Sequence, residues 1–326
     1  MKCVAIALAA VLGANAAMTA HAASTQGSDA FPRRAVRLIV PYPPGGAGDI
    51  VGRLLATKLT DSFGQQVVID NRGGGAQVIA TQIAATAPPD GHTLLLASAT
   101  HSVNAALRRN LPYDSARDFV PITLVAQSPL VFVAHPSLGV STIKELVAAA
   151  RAKPGRINYA SSGPGTGGHM SVELLKSITG IDVVHVPYKG AAPALVDVIA
   201  GQVQMMCTSP LPSMPHVKAG KLRALAMTGA RRASFAPDIP AVAESFPGYQ
   251  TTLWYALLAP SGTPQHTLSR LHAETVKIVR AKDFGQQLES QGAEPVSSSP
   301  QELRNHINAE IAQWTKLVKQ AKITLD

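Results

Sequence analysis

Two loops of small residues carry most of the chemistry that this 326-residue chain offers. The first is Pro41-Tyr42-Pro43-Pro44-Gly45-Gly46-Ala47-Gly48-Asp49, after the apolar run 36–40. The second is Tyr159-Ala160-Ser161-Ser162-Gly163-Pro164-Gly165-Thr166-Gly167-Gly168-His169, after Ile157. A glycine-rich loop that opens a helix leaves main-chain N–H groups uncovered at the positive end of the helix dipole. That is an anion site needing no charged side chain. A third loop, Pro187-Tyr188-Lys189-Gly190-Ala191, leads into another helical stretch and adds donors. Ser98 and Thr100 stand just past the strand-like run 93–97, near the carboxyl end of a strand, where ligands bind open α/β sheets. One such loop alone reads as a turn that satisfies its own backbone. Two, in an exported chain of two-lobe size, read as facing walls for a bound anion.

Other chemistries are poorly supplied. Gly163-x-Gly165-x-x-Gly168 matches a dinucleotide fingerprint, but that motif needs an acid ending the next strand. Here the next strand runs into Pro187-Tyr188-Lys189, with Asp182 in front of it. Neither glycine loop ends in the Lys-Ser/Thr of a phosphate-binding P-loop. Ser161-Ser162 lacks the Gly-x-Ser-x-Gly elbow. His169 and Glu173, four apart on a helix, read as a packing pair, and the other histidines are scattered singly without zinc spacing. The chain is therefore expected to be no enzyme, with no catalytic residue, metal or cofactor. Cys207 falls in the apolar run 203–207 and reads as a buried, inert thiol.

The elements that hold these loops follow from composition and pattern. A basic start at Met1-Lys2, an apolar stretch over residues 4–12 and Ala20-His21-Ala22 form an export signal cleaved near Ala22. The localisation expected is the periplasm. About 300 residues remain, enough for two lobes. Apolar residues make up 46% and charged ones 15%, the balance of a core-rich protein. The net charge of +9 is spread thinly, and aromatics are only 5%. Nucleic-acid readers concentrate basic charge with aromatics between, so no nucleic-acid partner is expected.

Short β-branched runs at 36–40, 67–69, 93–97, 130–134, 157–160, 183–186, 203–207, 224–227 and 254–258 alternate with helical stretches. The pattern predicts an α/β fold, each lobe a mostly parallel sheet flanked by helices. Helical stripes fall at Val51, Leu54, Leu55 and Leu59, at Ala192, Leu195, Val196 and Ile199, and at Leu303, Ile307, Ile311, Trp314 and Leu317. Breaks near Gln127-Ser128-Pro129 and Phe246-Pro247-Gly248 bracket a middle lobe. The expected organisation is an export signal at 1–22, a discontinuous lobe 1 of 23–127 plus 248–326, and a lobe 2 of 128–247, hinged to close on a ligand.

In order and coverage, several motifs resemble one family. They include Ile39-Val40-Pro41-Tyr42-x-x-Gly45-Gly46-x-x-Asp49-x-x-x-Arg53, Asp70-Asn71-Arg72-x-Gly74, Pro89-Asp90-Gly91-His92-Thr93-Leu94 and Tyr113-Asp114-x-x-x-Asp118-Phe119-x-Pro121. Later come Lys153-Pro154-Gly155-x-Ile157-Asn158-Tyr159, Val186-Pro187-Tyr188-Lys189-Gly190, Ala219-Gly220-Lys221-Leu222-Arg223-Ala224-Leu225-Ala226 and Ala259-Pro260-x-Gly262-Thr263-Pro264. The chain resembles the periplasmic solute-binding proteins of tripartite tricarboxylate transporters, often called Bug proteins. The resemblance implies a type II-like clamshell, or Venus flytrap, that captures a small organic carboxylate. It implies a monomer that delivers the ligand to membrane permease subunits. An alternative is a periplasmic sensor whose closed form meets a sensor kinase.

Carried onto this chain, the resemblance places Tyr42, Gly45, Gly46 and Ala47 on one wall. It places Ser162, Thr166, Gly167 and His169 on the other, with Tyr188 and Lys189 behind. Ser98 and Thr208 complete the expected ligand set. The usual Asn-Arg-Pro-Gly-Ala-Gly-Gly loop reads Asn71-Arg72-Gly73-Gly74-Gly75-Ala76-Gln77 here, which implies a looser loop. Cys207-Thr208 stand where many relatives carry Asp, which implies a ligand without an ammonium group.

Overall fold

The computed structural model describes residues 31–321, apart from Gly46 and Arg109. The expected export signal and the Gly46 position lie outside the described residues. In chain order the elements are β1 (Val36–Val40), α1 (Ala47–Phe63), β2 (Val67–Asn71), α2 (Val78–Ala85), β3 (Thr93–Ser98), α3 (Ala99–Leu107) and β4 (Phe119–Ser128). Then follow β5 (Val131–Ala134), α4 (Ile143–Ala152), β6 (Asn158–Ser161), α5 (Gly167–Thr179), β7 (Val184–Pro187), α6 (Ala191–Ile199), β8 (Met205–Thr208), α7 (Pro210–Lys218) and β9 (Arg223–Met227). The chain ends in β10 (Leu253–Pro260), α8 (Gln265–Val279), α9 (Lys282–Ser290), β11 (Glu294–Pro295) and α10 (Pro300–Ala321). No helix among the described residues is long and apolar enough to cross a membrane.

Two sheets result. One is ordered β11-β4-β10-β3-β1-β2 and the other β7-β6-β8-β5-β9, giving the two-lobe α/β architecture. In the first sheet β1, β2, β3 and β4 run one way, while β10 and the short β11 run against them. In the second, only β5 opposes its neighbours. Geometry explains the reversals. β5 and β10 are the first strands after the chain passes from one sheet to the other. A strand that enters from the gap runs away from it, whereas the others, the two-residue β11 apart, run toward it and release their loops there.

The crossings are tied by one residue. The fully buried Thr228 donates its N–H to Leu130 O at 2.8 Å and accepts Leu130 N–H on its hydroxyl at 2.8 Å. That hydroxyl also donates to Thr251 O at 2.7 Å. Both crossing segments are thus held on a single side chain.

Each sheet is covered on both faces. The apolar stripe of α1 (Val51, Leu55, Leu59) packs with Leu271 of α8 and Phe284 of α9, while Ala80, Ala84, Leu303 and Ile307 cover the other face. In the second lobe Leu146, Val147, Met170 and Leu175 form one layer, and Ala194, Leu195 and Val198 form the other. α10 spans both lobes: Leu303 and Ile307 enter the first core, and Trp314 and Leu317 the second.

Two sequence expectations need correcting. The stripe Ala192, Leu195, Val196 and Ile199 is rotated: α6 buries Ala194, Leu195 and Val198, and Val196 is 62% exposed. That helix is apolar almost all round, so periodicity does not choose a face. The ten-residue β4 was not expected as a strand. Pro121 interrupts it, at a register shift opposite Leu258, where a proline costs the ladder little.

Candidate ligand-binding site

The β1–α1 loop is built around one carboxylate. Asp49 is 2% exposed. It accepts Gly45 N–H at 2.8 Å, Arg53 Nε at 2.9 Å and Asn71 Nδ2 at 2.9 Å. Asn71 also donates to Tyr42 O at 3.0 Å, which fixes the turn to the end of β2. Burial raises the Asp49 pKa, but the hydrogen bonds from Arg53, Gly45 and Asn71 outweigh it, and the carboxyl lies below its usual range. Gly48 is required by contact: a Cβ there would lie 2.2 Å from the Tyr42 ring. Tyr42 therefore lies flat over the first turn of α1, edge-on to Tyr255 with ring centroids 6.1 Å apart.

The β6–α5 loop is knotted on Ser161 and Gly163. Gly163 N–H donates to Ser161 Oγ at 3.1 Å, and Thr166 Oγ1 donates to Gly163 O at 2.7 Å. Because the Thr166 hydroxyl is spent inside the loop, α5 has no side-chain cap. The first N–H groups of the helix, on Gly167 and Gly168, remain donors without an intrahelical partner. Gly168 lets the turn lie directly on β8, since a Cβ would fall 2.2 Å from Cys207 O.

His169 is turned away from the loop surface. Its Nδ1 accepts Gly165 N–H at 3.1 Å, and its ring stacks on His185 with centroids 4.2 Å apart. Burial pushes its pKa down to about 4, so the ring is neutral and able to accept. Behind it, Glu173 takes Tyr159 OH at 2.6 Å and Lys176 Nζ at 2.9 Å. His169 supports the loop from within rather than facing the gap.

Between the two loops lies a cavity of about 240 Å³. Of the expected residues, Tyr42, Ala47, Ser162, Thr166, Gly167 and Thr208 line it. Gly45 is exposed, with its N–H committed to Asp49. Ser98 is buried behind the wall, donating to Gln77 Oε1 at 3.0 Å. Tyr188 donates its hydroxyl to Asp197 at 2.6 Å, and Lys189 points into solvent. Sequence reasoning missed Gln77, Asn104, Ser209, Leu253 and Tyr255, which also line the cavity, and gave Thr100 only as a strand-end neighbour. They come from four separate stretches that only the folded sheets bring together.

Among the described residues no charged side chain lines this cavity. Instead six helices begin at it: Ala47 and Gly48 of α1, Gln77, the N-cap of α2, Thr100 of α3, Gly167 and Gly168 of α5, Ala191 of α6, and Ser209, the N-cap of α7. Their dipoles aim positive ends at one small volume. The arrangement suits a desolvated anion and offers no activated nucleophile, the Cys207 thiol being pushed up by burial. A crevice of about 450 Å³ between α5 and α10 is larger, but it is lined by Glu310 and Lys316 and no helix starts there.

The family model described as tripartite tricarboxylate transporter family receptor matches residues 51–323. BugT of Bordetella pertussis is 35% identical, over 93% of this chain and 94% of that protein. The structure of R. palustris Rpa4515 with adipate is 37% identical, covers 90% of this chain and 99% of that one, and superposes with a TM-score of 0.81. MatC (Rpa3494) from Rhodopseudomonas palustris, with bound malate, is 30% identical over 88% of this chain and all of that one, with a TM-score of 0.77. Fold, loops and relatives agree: the chain belongs to the tripartite tricarboxylate transporter receptor family, the Bug proteins, and is a solute-binding protein rather than an enzyme.

Proposed function

We propose that this protein is exported to the periplasm, captures a small organic carboxylate between its lobes and delivers it to permease subunits of a tripartite tricarboxylate-type transporter. The observation that carries the reading is the cavity, free of charged side chains among the described residues, on which six helix N-termini converge. Tyr42, Ala47, Ser162, Thr166, Gly167 and Thr208 form its ligand walls, with one ligand carboxylate on the uncapped N–H groups of α5. Lobe 1 comprises 23–127 plus 248–326 and lobe 2 comprises 128–247, closing about the Thr228 tie. Hydrogen bonds to an ionised group are about twice as strong as neutral ones, and closure removes the water that would compete with them. The adipate and malate in the relatives' structures support this ligand class.

A thermal-shift and calorimetric panel of adipate, malate, succinate and hexanoate, against their amides, tests it. A ligand at a hundredfold its Kd adds about 2.7 kcal/mol to stability. At least one acid is expected to raise the melting temperature and its amide to leave it unchanged. A ligand-free, folded protein indifferent to every acid would defeat the proposal.

A further inference from the structure

Four consecutive residues, Gly74, Gly75, Ala76 and Gln77, hold φ angles of 99°, 55°, 50° and 72°, and the last two line the cavity. Positive φ is open to glycine and strained for residues with a Cβ. Glycine fills the first two positions, but Ala76 and Gln77 stand where glycine would serve without strain. Backbone geometry therefore argues against a glutamine at this position.

Helix capping does not explain it either. Gln77 is the N-cap of α2 yet makes no side-chain cap hydrogen bond. Its side chain is buried, 8% exposed, and lines the cavity. The Ser98 hydroxyl donates to Gln77 Oε1 at 3.0 Å. With the oxygen engaged, the amide nitrogen, which gives one hydrogen to the Tyr42 phenol, keeps its second for a guest. The strained turn is pinned from three sides. Asn104 Nδ2 donates to Ala76 O at 2.7 Å, Gln77 N–H to Gly74 O at 3.0 Å, and Thr81 Oγ1 to Gln77 O at 2.9 Å. Strain that surrounding contacts hold in place at a ligand wall marks a preorganised functional group.

We propose that Gln77 is a specificity-determining residue, whose amide N–H donates to a second oxygen-bearing group of the ligand, on the wall opposite the N-terminus of α5. The inference rests on the carboxylate-capture reading and names what the other end of the ligand must carry. A guest with one carboxylate and an apolar tail leaves this buried donor unpaired.

Adipate and hexanoate, equal in chain length and differing in the second carboxylate, form the probe pair. Calorimetry and thermal melts are run on the wild type, Gln77→Gly and Gln77→Asn. The wild type is expected to prefer adipate. Gln77→Gly relieves the φ strain and should melt no lower than wild type, while its adipate affinity falls about tenfold or more and its hexanoate affinity holds. Gln77→Asn tolerates the left-handed conformation but is one methylene short, and should show the same selective loss. Opposite movements of stability and affinity are not expected of a residue that only props the loop. Equal weakening for both acids, unchanged binding of both, or a wild type that binds the two alike overturns this inference alone. A wild type that binds no acid of the panel defeats the capture reading beneath it.

Discussion

Gly168→Ala is the sharpest single perturbation of the anion site. The added Cβ would stand 2.2 Å from Cys207 O, a main-chain atom in the middle of the second sheet. Carbon contacts settle at roughly 3.5 Å, so the first turn of α5 must retreat by about 1 Å. β8 is held on both sides by β5 and β6, so the helix gives way. Overpacking of this kind costs about 1–3 kcal/mol, a fraction of a typical domain's stability, and the variant should fold.

The same retreat carries the Gly167 and Gly168 N–H groups off the carboxylate position. Each charge-assisted hydrogen bond lost costs about 1.5–3 kcal/mol, roughly ten- to hundredfold in affinity. Gly180→Ala is the control. It introduces strain at a φ of 69° at the far end of the same helix, with open space around the new Cβ. It should lower the melting temperature and leave Kd alone. Calorimetric titration of both variants reads the contrast. Wild-type affinity in a folded Gly168→Ala protein would refute the claim that the α5 terminus holds the ligand.

Three further outcomes follow from buried titratable groups. Burial lifts the Glu310 pKa to about 7, against hydrogen bonds from Trp254 and Ser102. Its stabilising contribution is full below the ordinary value of 4.5 and is lost as pH rises through about 7. Glu310→Gln, which keeps an acceptor for Trp254 Nε1, should raise the melting temperature at pH 8 and leave it unchanged at pH 5; a drop at pH 8 would contradict this. His169 runs the other way. Its pKa is lowered to about 4 from 6.5, so stability is present above pH 6.5 and lost as pH falls through about 4. His169→Phe keeps the stacking and should flatten that stretch of the stability–pH curve, read by denaturant titration; an unchanged slope would count against the burial argument. Asp49→Ala strands the Asn71 amide and Gly45 N–H, and should cost about 1–3 kcal/mol of stability measured by urea unfolding. A loss under 0.5 kcal/mol, typical of surface changes, would show that the loop does not depend on that carboxylate.

The two glycine loops were legible because their function is local: a strand end, small residues and a helix start are written consecutively. Directions in space were not. Whether His169 faces the gap or the core depends on the rotation of one helical turn, and the stacking of His185 decides it. Lys189 and Tyr188 are close in sequence to a helix N-terminus that reaches the cavity, yet Asp197 draws the tyrosine away. The Ala76–Gln77 part of the lobe-1 wall is hidden for a different reason. A run of glycines reads as slack, and nothing in the sequence reveals that Ala76 and Gln77 share the same left-handed backbone. Tyr255 and Leu253 belong to a strand recognised as such, but their place at the cavity follows from β10 starting in the gap between lobes. Sequence patterns report what a segment is; which of its ends meets a distant segment is set by sheet order.

The most direct measurement of the central claim is a backbone amide NMR titration of the isotopically labelled protein with adipate. The account predicts that the Gly167 and Gly168 amide protons move downfield and saturate with the calorimetric Kd, as donors to an anion must. Saturable binding that leaves these two resonances in place would show that the carboxylate is held elsewhere.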